Sequence, residues 1–367
     1  MDLVPLIDAV GENGAALAGG AVLGLVFGFF AQRTAFCTRT AVLDLVRGRG
    51  NAALATWAAG FAAAVLGVQL LLYTGSIEVT ETRFFSTPQS LSGALIGGAL
   101  FGLGMVLARG CVSRLLVLGA SGNLRALFTL VILAVFALAT FDGFLVPARD
   151  AIGGIWSSAA IGGNDLLAHA GLDRIGGVAI GVVLAAAALA LAISTRLSPA
   201  RLVGGMIVGL TIVGGWYFTW QLSLQVFEPI QAESLSYVRP LATTIGLGTG
   251  TEAAAGLDQG LLIGILVGAF VAAVAFRQFR IATFSEPGTP SVLRYALGAA
   301  LMGFGGILAV GCTIGAGFTG GSVLAVTSLL GLASMVASAA VAARLIDGRR
   351  PAVSTDRAHG AFPAAAE

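Results

Sequence analysis

Three cysteines, Cys37, Cys111 and Cys312, are the residues of this 367-residue chain whose chemistry stands out. No two of them form a CxxC pair, and an odd count leaves at least one thiol free, so a disulfide framework is not expected. Each cysteine ends an apolar segment and begins a short stretch that contains hydroxyl groups or glycines. A neutral thiol is a weak hydrogen-bond donor. Thiols at such positions are therefore candidates for contact with an anion.

A break in the helix at each cysteine would place the thiol at the N-terminus of a short helix. The dipole and the free N–H groups of a helix N-terminus favour an anion. Arg39 and Arg114 follow two of the cysteines and could attract an anion to the mouth of a pathway. Three weak donors in series would let an anion step along without being trapped. The residues predicted to support the cysteines are Thr38, Arg39, Gly110, Ser113, Arg114, Gly311, Thr313, Gly315 and Gly317.

Packing is the competing interpretation of these cysteines. A free cysteine is among the most buried residue types and often serves as a small hydrophobic side chain. All three cysteines, however, occupy the same position of an internal repeat, and none lies elsewhere in the chain. This shared position favours a function for the cysteines over packing alone.

The composition places these cysteines in a membrane. Mean hydropathy is +0.94, hydrophobic residues make up 57% and charged residues 10% of the chain, whereas soluble domains carry about 25% charged residues. Long apolar runs predict an all-α polytopic membrane protein of about nine transmembrane helices, with re-entrant half-helices at the breaks. The predicted spans are 15–31, 52–73, 91–108, 124–144, 174–194, 200–217, 258–276, 291–310 and 322–344.

Several functions are excluded or disfavoured by residue types. All 20 basic residues are arginines, so a P-loop lysine and a Schiff-base lysine are both excluded. With only two histidines, a histidine-based metal site is not expected, and no metal or cofactor is predicted. The basic clusters indicate membrane topology rather than a nucleic-acid partner.

Arginines concentrate in alternate connections between the predicted spans, as in Arg33 to Arg49 and in Arg109 and Arg114. Under the positive-inside rule, this distribution predicts an outside N-terminus and a cytoplasmic C-terminus. Nine spans are consistent with that assignment, because an odd number leaves the two ends on opposite sides.

Glycines reveal an internal repeat. Gly28, Gly102 and Gly303 each lie nine positions before a cysteine, and a small residue precedes each of these glycines by four. A fourth copy, with Gly205 and Gly209, places Phe218 in the cysteine position. Two copies lie in residues 1–195 and two in residues 196–348, which predicts two pseudo-symmetric halves of inverted topology, as in many transporters. Residues 349–367 are predicted to form a disordered cytoplasmic tail.

The motifs around the cysteines resemble those of the YeeE/YedE family of sulfur-compound transporters. The resemblance rests on Gln32 to Cys37, on Arg109-Gly110-Cys111 and on Gly311 to Gly317, and it extends over about residues 15 to 345. It implies a monomeric transporter, not an enzyme, that takes up thiosulfate through the inner membrane of a bacterium. It further implies that the anion passes between thiols at Cys37, Cys111 and Cys312, with a TusA-like sulfur-carrier protein as a cytoplasmic partner. Ala316 departs from the pattern, since many relatives carry histidine there.

Other functions remain open at this stage. Some relatives are linked to selenium metabolism, so a selenium compound is an alternative substrate. An intramembrane thiol or sulfur-transfer enzyme would also use cysteines, although the CxxC pair of a quinone-coupled disulfide enzyme is missing. A structural membrane protein would show no effect of removing the cysteines.

Overall fold

The computed structural model describes residues 2–48, 50–227, 230–251 and 254–347. Within these ranges the chain is helical and forms no β-strand. The helices are α1 Val4–Thr34, α2 Thr38–Arg47, α3 Ala52–Tyr73, α4 Leu91–Leu107, α5 Val112–Ala120, α6 Leu124–Asp142, α7 Val146–Gly153, α8 Leu166–Ala170, α9 Arg174–Ser194, α10 Pro199–Ser223, α11 Val238–Thr249, α12 Leu257–Ala275, α13 Val292–Leu308, a π-helix Thr313–Gly320, and α14 Val326–Ala342. The tail predicted for residues 349–367 lies outside the described residues.

The predicted nine membrane spans are confirmed. Nine helical segments in the described part of the chain are long and apolar enough to cross a membrane, and they are built on α1, α3, α4, α6, α9, α10, α12, α13 and α14. The short helices α7 and α8 lie between α6 and α9, and α11 lies between α10 and α12. The short helices α2 and α5 and the π-helix follow directly after the breaks at the cysteines. The protein is therefore an all-α polytopic membrane protein with half-helices.

The contacts between helices come in matched pairs. Helix α1 packs along α12 and α10 along α3, while α4 packs along α14 and α13 along α6. The short helices follow the same scheme, since α2 contacts α14 and α11 contacts α6. These pairs relate α1–α6, in order, to α10, α11, α12, α13, the π-helix and α14. Paired contacts of this kind are what an internal repeat produces.

The repeated glycines lie at these helix–helix contacts. Without a hydrophobic driving force in lipid, transmembrane helices associate through close backbone packing, which small residues permit. Gly24 and Gly28 of α1 lie against backbone carbonyls of α12, and Gly205 and Gly209 of α10 lie against those of α3. Gly98 and Gly102 meet α14 in the same way, and Gly303 meets α6. The glycine pattern therefore specifies packing, and the cysteines nine positions later are positioned by it.

The fourth copy of the repeat differs from the sequence alignment. Helix α10 continues unbroken through Phe218 to Ser223, so Phe218 does not occupy a helix break, and its ring lies over Gly19 of α1 instead. The break comes later, and Tyr237 takes the N-cap position before α11. Tyr237 therefore corresponds to the cysteines of the other copies. The sequence repeat did not show this, because an insertion in this copy makes the distance from the glycines to the helix break longer than nine residues.

The interface between α1 and α12 provides a test of the packing. A Cβ at Gly264 would lie 2.7 Å from the Leu25 backbone nitrogen and 2.9 Å from the Gly24 Cα, and neither backbone atom can move independently. We expect Gly264→Ala to destabilise the fold by about 1–3 kcal/mol, measured as a lower thermal unfolding midpoint in detergent. Gly248→Ala is the matched control, since Gly248 of α11 has no heavy atom within 4 Å of the added Cβ. Equal midpoints for the two variants would contradict this packing.

Candidate functional site

Each cysteine occupies the N-cap of a short helix. Cys37 precedes α2, Cys111 precedes α5, and Cys312 precedes the π-helix. All three are buried free thiols. The predicted placement of a cysteine at each half-helix N-terminus is therefore confirmed, and the N–H groups of three helix ends are directed towards thiols.

The breaks share one backbone geometry. The residue two positions before each cysteine (Ala35, Arg109 and Val310) has a positive φ, of 52°, 62° and 60° respectively. A positive φ is strained for a residue with a Cβ, and most of all for a β-branched one such as Val310. Gly311, at φ 150°, needs to be glycine, because an added Cβ would lie 2.6 Å from the Ala316 nitrogen. The common geometry supports treating the three breaks as copies of one unit.

Cys37 and Cys111 lie side by side. Their side chains contact each other, although 73 residues separate them along the chain. The Cys111 sulfur lies 3.5 Å from the Ser113 hydroxyl oxygen, and the Cys37 sulfur faces the N–H and the hydroxyl of Thr40. We call these two residues the Cys37–Cys111 pair. Two thiols with adjacent hydroxyl and N–H donors form a surface suited to an anion.

The guanidinium of Arg114 carries a positive charge close to the Cys37–Cys111 pair. Arg114 interacts electrostatically with both Cys37 and Cys111, so it places a positive charge beside the pair, while the predicted role of Arg39 stays a prediction. Its Nη1 donates to Gln32 Oε1 at 3.5 Å, and Gln32 Nε2 donates to Gln278 Oε1 at 2.9 Å. These two hydrogen bonds link Arg114, beside the pair, to the loop after α12, and they orient the Arg114 guanidinium.

Cys312 has its own set of neighbours, on the π-helix and just before α11. The backbone N–H groups of Ile314, Gly315 and Tyr237 face its sulfur. Gly315 occupies the position that corresponds to Arg114 in the repeat. A Cβ at Gly315 would lie 2.5 Å from the Ser236 hydroxyl oxygen, so a larger residue would displace the neighbouring chain. The arginine of the pair therefore has no equivalent on the π-helix.

An extended segment, residues 232–237, positions Tyr237 beside Cys312. The segment is buried, and its backbone is bonded by hydroxyl groups of neighbouring helices. Thr319 donates to the Leu235 carbonyl at 2.6 Å, and the Glu233 N–H donates to the Thr219 hydroxyl at 3.0 Å. Buried backbone groups outside regular structure need such partners. The hydroxyls thus hold this buried, irregular segment in place.

A charged cluster lies next to this segment. Arg239 bonds Glu233, and it binds Asp258 through Nε and Nη2 at 3.1 and 3.2 Å. The carboxylate of Glu233 raises the pKa of Arg239. Burial lowers the pKa of Arg83, and Glu233, 3.8 Å away, opposes that shift. Both guanidinium groups remain charged at neutral pH, and Arg83 interacts electrostatically with Cys312.

The other predicted residues have supporting positions. Thr38 accepts a hydrogen bond from Trp57 Nε1 at 3.0 Å and so links α2 to α3. Gly110 lies at the break before Cys111, and Gly317 lies inside the π-helix against Leu332. The Thr313 hydroxyl is buried and has no hydrogen-bond partner in the described residues. Thr38 and Gly317 therefore have packing contacts, Thr313 has a hydroxyl available to a ligand, and the supporting role of all three stays a prediction.

The sequence interpretation missed Tyr237, Arg83 and the carboxylates of the charged cluster. A hydroxyl-rich stretch, Ser234-Leu235-Ser236-Tyr237, in the long connection after α10 was the available signal. It matches the polar stretches at the cysteines but contains no thiol. Among the described residues, no group of three or more histidine, cysteine, aspartate or glutamate side chains is arranged to hold a metal ion.

Comparison with known proteins supports a transport role. A family model described as "Sulphur transport" matches residues 33–341. The chain is similar to a thiosulfate transporter, TsuA, of Spirochaeta thermophila, with 26% identity over 85% of this chain and 93% of the relative. It is also similar to the thiosulfate transporter TsuA of Escherichia coli, with 25% identity over 87% of this chain and 92% of the relative. The matched region includes all three cysteines.

Proposed function

The chain belongs to the sulphur-transport family, and from this premise we propose that it carries thiosulfate, or a closely related small sulfur oxyanion, into the cytoplasm. The names of the two similar transporters support this substrate. The observation that carries the mechanism is the placement of Cys37, Cys111 and Cys312 as buried caps of three helix N-termini. The anion would pass between these thiols by exchanging hydrogen bonds.

The chemistry of the site suits transient binding. A thiolate would repel the anion, whereas a neutral S–H donates a weak hydrogen bond to it. Arg114 adds a full positive charge beside the Cys37–Cys111 pair. Conduction requires binding strong enough for entry and weak enough for release. Weak thiol donors assisted by one buried arginine meet both requirements.

The proposed topology suggests the order in which the anion meets the cysteines. On the proposed topology, with the N-terminus outside and the C-terminus in the cytoplasm, Cys312 follows an outward span and the Cys37–Cys111 pair follows inward spans. The anion would therefore meet Cys312 first and the pair later. The inverted halves, residues 1–195 and 196–348, are proposed from the matched helix contacts. We further propose that the protein works as a monomer in the inner membrane of a bacterium. Its proposed cytoplasmic partner is a TusA-like sulfur-carrier protein.

Transport by purified protein tests this function. We expect proteoliposomes containing the protein to accumulate radiolabelled thiosulfate above protein-free liposomes, and unlabelled thiosulfate to compete better than sulfate or selenite. The expected order of competition follows from the names of the two similar transporters, both of which are thiosulfate transporters. Preference for selenite would instead assign a selenium substrate. A stable persulfide on a cysteine, found by mass spectrometry without any uptake, would contradict transport and favour a sulfur-transfer enzyme.

A further inference from the structure

Tyr237 occupies the position of a fourth cysteine. The matched helix contacts relate α2 to α11 and α5 to the π-helix. Tyr237, the N-cap of α11, therefore corresponds to Cys37, and Cys312 corresponds to Cys111. As the two thiols of the Cys37–Cys111 pair are neighbours, so Tyr237 and Cys312 are neighbours, with the Tyr237 N–H facing the Cys312 sulfur.

The phenol of Tyr237 is a donor held in place without a protein partner. The residue is fully buried, and its ring packs against Phe27 of α1 with 5.3 Å between the ring centroids. Its hydroxyl forms no hydrogen bond within the described residues, and neither does the buried hydroxyl of Thr313. Leaving a buried polar group unsatisfied costs about 1–3 kcal/mol. A ligand that accepts a hydrogen bond there would recover that cost.

Gly315 replaces the arginine that Arg114 provides beside the Cys37–Cys111 pair, and Arg83 is the positively charged side chain that interacts with Cys312 instead. Two of its nitrogens, Nε and Nη2, are buried without a hydrogen-bond partner in the part of the chain that the structure describes. The Glu233 carboxylate lies 3.8 Å from Nε, beyond hydrogen-bond distance, and Arg239 already bonds that carboxylate. The guanidinium lies over the Phe84 ring, 5.0 Å from its centroid. Its N–H donors therefore remain available while its position is fixed.

From these contacts we infer that Tyr237, Arg83 and Cys312 form a second binding station, which holds a small sulfur oxyanion by a phenol, a guanidinium and a thiol. The station deepens the proposed function and rests on it. Glu233 stays near enough to weaken the attraction, so the anion is held without being trapped. The chain thus has two arginine-assisted stations, one with two thiols and one with a thiol and a phenol.

Tyr237→Phe tests the station, because it keeps the ring against Phe27 and removes only the hydroxyl. For this variant we expect about a tenfold rise in the KM of thiosulfate uptake and in the Kd from calorimetry in nanodiscs, since a hydrogen bond to a charged group is lost. Arg83→Gln should weaken binding at least as much, and Arg83→Lys less, because the lysine retains the charge. Tyr295→Phe is the matched control, a buried tyrosine that packs against Phe284, with unchanged KM and Kd expected.

Failure of the station and failure of the proposed function give different results. If the unsubstituted protein transports thiosulfate and both Tyr237→Phe and Arg83→Gln keep its KM and Kd, the station is wrong while the proposed function stands. If the unsubstituted protein neither binds nor transports thiosulfate, the proposed function fails and the station fails with it. Thermal unfolding midpoints of the same samples identify any variant that has lost binding because it has lost its fold. If Arg83→Gln is such a variant, the binding of thiosulfate by Arg83→Lys shows whether the positive charge matters.

Discussion

Alanine in place of Cys111 is expected to lower thiosulfate uptake by at least about tenfold while the protein still folds and inserts. Cys111 is the central contact of its cluster, since it touches Cys37, lies 3.5 Å from the Ser113 hydroxyl and interacts with Arg114. Losing a donor to a charged ligand costs about 1.5–3 kcal/mol, or about ten- to a hundredfold in affinity. Alanine occupies less volume than cysteine, so the fold should lose little else. Initial rates of labelled thiosulfate entry into proteoliposomes measure the effect.

The serine variant separates hydrogen bonding from thiol chemistry. Cys111→Ser retains a donor of similar size, so a relay by hydrogen bonds predicts partial uptake, and covalent sulfur exchange predicts none. Ser121→Ala is the matched control, because Ser121 ends the same short helix and its hydroxyl donates only to the Val117 carbonyl. Full uptake by Cys37→Ala, Cys111→Ala and Cys312→Ala, each tested singly, would refute the relay.

Arg114→Gln is expected to raise the KM for thiosulfate by about ten- to a hundredfold, the second large effect. The guanidinium is the positive charge that acts on both thiols of the Cys37–Cys111 pair, and charge-assisted hydrogen bonds are roughly twice as strong as neutral ones. Arg114→Lys should retain part of the affinity, because a lysine keeps the charge but cannot reproduce the planar arrangement of donors. Uptake rates at several thiosulfate concentrations separate the change in KM from a change in maximal rate.

Arg280→Gln controls for the change in net charge. Arg280 is 62% exposed and pairs with Glu286 at 3.2 Å, and it lies in the connection after α12, as does Gln278. Its loss should leave KM nearly unchanged, since exposed charges are screened by salt. A similar rise in KM for Arg280→Gln and Arg114→Gln would mean that general surface charge, rather than the buried guanidinium, attracts the anion.

The proposed stations change how a relay must work. Cys37 and Cys111 are neighbours and both interact with Arg114, so in the proposed relay they form one station rather than two successive steps. Cys312 belongs to the other proposed station, where Arg83 interacts with it electrostatically. The proposed relay therefore has two stations that the matched helix contacts relate to each other.

The amino-acid sequence by itself determined the nine spans and the three broken helices. Apolar length is a local property, because a spanning helix satisfies its backbone hydrogen bonds internally. The breaks are local as well, since Gly311 and the residues around Cys37 and Cys111 interrupt apolar helix within a few positions. The glycine spacing identified three copies of the repeat for the same reason.

Only the tertiary structure decided which of these features meet. Cys37 and Cys111 become neighbours although 73 residues separate them, and Arg83, in the connection between α3 and α4, interacts electrostatically with Cys312. Tyr237 was hidden because an insertion displaced its helix break from the repeat spacing, and the correspondence survives only in helix contacts. Contacts between distant segments depend on how closely helix backbones approach one another, and no local pattern specifies the partner.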